Sequence, residues 1–162
     1  MKNTFAKLSF VVLTLLFIAG SAAFSVWRMK QPQPKDADLA ALGDRLESSG
    51  LLQSSKPGSA QECRKYFGLS SDAYEEILYF SPMTFMDVEE VLVVRAPEGT
   101  AAAAEAMQAR LSLLQKSFEN YGTFQLAMLK DAQIYENGVY ACYAAGEHSR
   151  EIMTVIREAV EE

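Results

Sequence analysis

Few residues in this chain combine type and spacing in a way that could support chemistry. The densest carboxylate group is Asp87, Glu89 and Glu90. General acid–base work needs two carboxyls whose pKa values are driven apart by their surroundings, and calcium needs several oxygens converging on one point. Alternation along a strand sends Glu89 and Glu90 to opposite faces, so these acids read as the solvated entrance to a strand. His148 is the only histidine, and any Ser-His-Asp or Cys-His mechanism would have to run through it. Its neighbours, Gly146-Glu147-His148-Ser149, read as an exposed turn leading into a helix. G-x-S-x-G, G-x-x-x-x-G-K-S/T, G-x-G-x-x-G and H-E-x-x-H are all absent from the sequence. The sequence therefore assigns no catalytic residue, no cofactor site and no metal ligand, and it leans away from an enzyme.

Two cysteines, Cys63 and Cys142, are too few for a structural zinc site. They pair as a disulfide in an oxidising compartment, or they are two small buried hydrophobes. An aromatic group offers the remaining candidates. Phe118, Tyr121 and Phe124, with Tyr135, Tyr140 and Tyr143, cluster around one hairpin. Aromatics of this kind line a groove or an interface, or they fill the space between helix and sheet. Tyr140 and Tyr143 fall on opposite faces of a strand, which leaves at least one of them exposed. Tyr140, Tyr143 and Tyr121 are accordingly the candidate contact residues.

The elements that would position these residues can be read from periodicity. Leu39, Leu42 and Leu46 predict a short helix over about 37–49, ended by Gly50. Gln53–Ala60 is loop by composition, and a second short helix over about 60–67 carries Cys63, Tyr66 and Phe67. Ala73–Phe80 reads as a strand with Tyr74, Leu78 and Phe80 on one face. Val88–Arg95 reads as a second strand, and its Val91–Val94 run, apolar on both sides, predicts a central place covered by helices on at least one face. Ala103, Met107, Leu111, Leu114 and Phe118 form one apolar stripe on a long helix over 101–121, with Thr100 as its cap. A short helix over about 123–130 follows Gly122. Asn137-Gly138 tolerates the positive φ angles of a type I′ turn and joins strands 133–136 and 139–144. A last helix begins at a Ser149 cap and shows Ile152, Ile156 and Ala159 on one face. The order α-α-β-β-α-α-β-β-α predicts an α+β fold: two layers, with an antiparallel sheet of about four strands in two hairpins packed by helices on one face.

Upstream of this domain, over 37–162, the chain has a different character. Leu8 to Trp27 contains no charge, and twenty residues of helix at about 1.5 Å each span roughly 30 Å, the thickness of a bilayer's apolar layer. Lys2 and Lys7 precede the run, while Trp27, Arg28 and Lys30 follow it, as at a membrane boundary. Residues 1–30 are thus expected to be a signal anchor holding the domain outside the cytoplasm, with membrane contact through 8–27. The alternative is a signal peptide cleaved near Ser21-Ala22-Ala23, releasing a secreted domain. Residues 31–36, with alternating prolines at 32 and 34, form an extended spacer. Five of the fifteen cations and none of the 21 acids fall within residues 1–35, which leaves the remainder at a formal −11. Such a domain repels phosphate backbones, so nucleic acid is excluded as a partner.

From Arg64 to Val160 the sequence resembles domain of unknown function 4358, an uncharacterised bacterial family common in Gram-positive envelopes. The resemblance is carried by Lys65-Tyr66-Phe67-Gly68-Leu69, Asp87-Val88-Glu89-Glu90-Val91, Phe118-Glu119-Asn120-Tyr121 and Asn137-Gly138-Val139-Tyr140, in that order. It implies an exported or lipoprotein-like protein, although the lipobox cysteine is missing here, and it brings no known activity or catalytic residue. Three function classes follow. The first is a non-enzymatic envelope module binding a protein or cell-wall partner. The second is a small-ligand-binding domain with a helix–sheet pocket, and the last is a hydrolase using His148 or the 87–90 acids.

Overall fold

The computed structural model of the chain describes residues 35–161. Its elements run α1 (Leu39–Ser48), β1 (Ser55–Pro57), α2 (Ala60–Phe67), β2 (Glu76–Pro82), β3 (Glu90–Arg95), α3 (Ala101–Phe118), α4 (Thr123–Lys130), β4 (Gln133–Glu136), β5 (Tyr140–Ala145) and α5 (Ser149–Val160). The fold is α+β. The strands form one antiparallel sheet in the order β1-β2-β3-β5-β4. Both expected hairpins are present, with Phe80 opposite Val91 in one and Tyr135 opposite Cys142 in the other. They join through β3 and β5, where Glu90 lies opposite Ala145 and Arg95 opposite Tyr140.

Four expectations need correction. The sheet has five strands: Ser55–Pro57, expected as loop, pairs with the end of β2. Its proline sits on the outermost strand, where a missing N–H breaks no ladder. The fold is also three layers deep rather than two, because helices cover both faces of the sheet. On one side α2, α3 and α4 pack through Phe67, Met107, Leu111, Phe118 and Leu129 onto Tyr79, Leu92, Val94 and Tyr143. On the other, α1 and α5 pack through Leu39, Leu42, Leu46, Ile152 and Ile156 onto Phe80, Val91, Val93, Tyr140 and Cys142. Every residue of β5, and Val91–Val94 of β3, is fully buried, which a sheet covered on one side would not allow. Finally, Gly138 has a positive φ but Asn137 does not, so the β4–β5 turn is not type I′. Asn137 instead binds with its side chain, accepting from the Tyr140 amide at 3.1 Å and donating to the Val160 carbonyl at 2.8 Å.

The cap expected at Thr100 is also spent elsewhere. Its hydroxyl donates to Glu136 at 2.6 Å and makes no helix cap. Where residue 35 enters, the Lys35 amide donates to the Val160 carbonyl and Asp36 pairs with Arg95. The point of entry therefore lies at the Arg95–Tyr140 end of the sheet, and the β2–β3 loop at the other. No described helix is long and apolar enough to cross a membrane. The apolar run at 8–27, and with it the anchor and signal expectations, lies outside the described residues.

Candidate binding cleft

At the loop end of the sheet, Glu89 and Glu90 do leave the chain on opposite faces, but neither is solvated: Glu89 is 4% exposed and Glu90 0%. The expectation of a solvated strand entrance is overturned because each carboxylate has partners from distant segments. Glu89 Oε1 accepts from the Gln53 amide at 2.8 Å, the Ser54 amide at 2.9 Å and the Ser55 hydroxyl at 2.7 Å. One carboxylate oxygen thus ties β1 to the sheet, since a charged acceptor strengthens each bond. The turn after β5 lies directly against Glu89. Gly146 has φ +120°, and a Cβ there would come 3.1 Å from the Glu89 Cα and 3.0 Å from its Cγ. Glycine at this position brings Glu147 and His148 up to the same edge.

These segments border a cleft of about 330 Å³ whose lining includes the polar Ser54, Asp87, Glu89, Glu147 and His148 and the apolar Met86, Val88, Phe124 and Met128. Asp87 shapes the loop beside it, accepting from the Thr84 amide at 2.9 Å and the Thr84 hydroxyl at 2.8 Å. The Gln125 side chain donates to the Met86 carbonyl at 3.4 Å, linking α4 to that loop. Phe124, which lines the cleft, is 65% exposed, and Met83 and Phe85, in the loop that brings Met86 to it, are 55% and 90% exposed. Large apolar side chains gathered this way on a domain surface mark a contact surface more often than chance.

Glu90, on the opposite face, belongs to a closed network. Arg110 reaches it through two nitrogens at 3.0 and 3.2 Å, and the Tyr79 hydroxyl donates to it at 2.8 Å. The Arg110 guanidinium lies 4.5 Å from the Tyr66 ring centre. Burial pushes the Glu90 carboxyl above the usual carboxylate range, with Arg110 and Tyr79 pulling it partly back. Tyr79 is pushed up in turn by burial and by Glu90. A cavity of about 190 Å³ lies beside this network between α2 and β2, touching Cys63 and Tyr79. That is smaller than the roughly 300–1,000 Å³ of ordinary ligand pockets. The space between α3 and the sheet, where a ligand pocket was expected, is filled by the Met107–Leu111–Phe118 core.

The other predicted residues separate. Tyr140 and Tyr143 do face opposite ways, yet both are fully buried because both faces of the sheet are covered; neither is available as a contact. The Tyr140 hydroxyl accepts from the Ala37 amide at 3.0 Å. Tyr143 meets Phe67 edge-on at 5.8 Å, and its hydroxyl has no partner among the described residues. Tyr121 is exposed, leaning on Phe118 at 5.6 Å, and is not part of the cleft lining. Cys63 and Cys142 are both free and buried, one on each side of the sheet, so they form no disulfide. Burial pushes the Cys63 thiol up to about 11 and the Cys142 thiol up to about 12. Among the described residues no cluster of His, Cys, Asp or Glu could hold a metal ion.

His148 shares the cleft with Asp87, Glu89 and Ser54. None of the hydrogen bonds of the described residues ties its ring to a carboxylate or a hydroxyl. Sequence reasoning missed Arg110, the Gln53–Ser55 cradle and the apolar loop. Only the loop left a signal: Met83, Phe85 and Met86 are three large apolar residues inside a turn between strands.

The family described as Domain of unknown function (DUF4358) matches residues 48–146, more than half of the chain, and the chain belongs to that family. No curated protein and no solved structure matches it. The matched range includes the Glu89 cradle, the Glu90 network and the apolar loop.

Proposed function

We propose that this protein is a non-enzymatic interaction module of the cell envelope, held or exported by its N-terminal segment, which docks a protein partner through the loop end of its sheet. The observation carrying the reading is the exposure of Phe124 at the cleft and of Met83 and Phe85 in the loop whose Met86 lines it, on a domain whose other large apolar side chains are mostly packed away. Membership of the family supplies no activity. The uncharged run from Leu8 to Trp27 supports the envelope placement.

Site-specific photo-crosslinking in native membranes tests this. A photoreactive residue at position 85 should give a discrete adduct, and Met83→Ser with Met86→Ser should suppress it. The same label at Glu98, in the exposed turn after β3 at the opposite end, should give none. Equal labelling from both positions, or none from position 85, would sink the proposal.

A further inference from the structure

The lining of the cleft also specifies what kind of partner segment it takes, an inference that rests on the docking function proposed above. We infer that the occupant is a short peptide segment bearing a lysine or arginine flanked by large apolar side chains. Three carboxylates, Asp87, Glu89 and Glu147, line the cleft, and its described lining residues include no lysine or arginine. The surrounding chain from residue 36 onward carries a formal −11, so the wider field has the same sign and draws cations in.

Glu89 is the focal group. Its Oε1 already accepts three hydrogen bonds, whereas none of the donors among the described residues is bonded to its Oε2. This second oxygen of a largely buried side chain that lines the cleft favours a charged donor, because a charge-assisted bond is roughly twice as strong as a neutral one. The apolar part of the lining is Met86, Val88, Phe124 and Met128. It matches the aliphatic stem of a lysine or arginine, which packs on apolar surface while its head reaches a polar group. The exposed Phe124 ring adds a face on which a cation can sit. Beyond the mouth, Met83 and Phe85 meet the residues flanking the cation. The thioethers adapt to more than one side-chain shape. An anionic lipid surface fits the apolar loop but is repelled by the three carboxylates beside it.

The test uses the full chain, isotopically labelled in detergent micelles, and three acetylated, amidated peptides of sequence Leu-Phe-X-Leu-Phe, with X as arginine, norleucine or glutamate. The arginine peptide should shift the amides of residues 53–54, 86–89, 124–128 and 147–148. It should bind about tenfold more tightly than the norleucine peptide and more weakly as salt is raised. Glu147→Lys, an exposed position, should weaken arginine-peptide binding about tenfold and so remove its preference over norleucine. Equal binding of arginine and norleucine peptides would overturn the cation requirement while leaving the apolar dock intact. Absence of binding by all three would overturn the inference, with crosslinking at position 85 still judging the broader function. A response of the 83–86 loop to phosphatidylglycerol vesicles and not to peptide would overturn it in favour of lipid.

Discussion

Glu90 shows how a buried side chain couples this fold to pH. Its carboxyl is raised above the ordinary range by burial, so between the unfolded and folded values the native state holds a proton that the unfolded chain has released. The stability it contributes is complete below the unfolded value of about 4.3 and is lost as pH rises through the folded one. Urea unfolding at pH 5 and pH 8 should therefore show the parent protein losing stability relative to Glu90→Gln as the pH is raised; an unchanged difference would show that Glu90 does not titrate in this interval. The two buried tyrosines make a second pair of expectations. Tyr140→Phe strands the Ala37 amide and should cost about 1 kcal/mol, whereas Tyr143→Phe removes a hydroxyl with no protein partner and should be neutral or stabilising. Thermal melting of both variants checks the order. At this scale the sequence was legible in part. Alternation placed Glu89 and Glu90 on opposite faces, but the partners that bury them lie 20 residues downstream at Arg110 and 34–36 residues upstream at Ser55–Gln53, and no local pattern reveals those meetings.

The elements themselves were nearly all readable. Helices over 60–67 and 123–130 match their expected limits, because apolar spacing and the flanking glycines set them locally. The edge strand β1 was not readable, since Ser55-Lys56-Pro57 has the composition of a turn and acquires strand form only from its neighbours. Glu89 is one of those neighbours. Glu89→Ala should leave the Gln53 and Ser54 amides without their acceptor, at a cost of about 1–3 kcal/mol. Amide exchange should accelerate first at residues 53–54 while Val91–Val94 stay protected; uniform acceleration across the sheet would contradict the local role given to Glu89. The second helical layer was missed for a related reason. The leucine stripe of α1 and the isoleucine stripe of α5 each announce a buried face, but periodicity does not say which face of a sheet a helix covers.

Across the whole molecule, the fully buried central strands decide the matter. A sheet with apolar residues on both sides needs cover on both, and the ends of the described chain supply the second layer. The same architecture separates the two cysteines. Native protein should resist thiol reagents at neutral pH, since both thiols are buried and pushed up to about 11 and about 12, and unfolding should release two reactive groups per chain. A native disulfide detected by mass spectrometry would contradict the placement of Cys63 and Cys142 on opposite sides of the sheet.

Lys35 and Val160 are joined by a 3.0 Å hydrogen bond, so the chain comes in and goes out at one pole while the Glu89 cleft occupies the other. A fluorophore or affinity handle that follows the last helix would therefore start from the pole away from the Glu89 cleft. Conversely, an insertion in the Met83–Met86 loop would crowd the cleft end and leave the Lys35–Val160 pole untouched, so the two ends can be engineered independently.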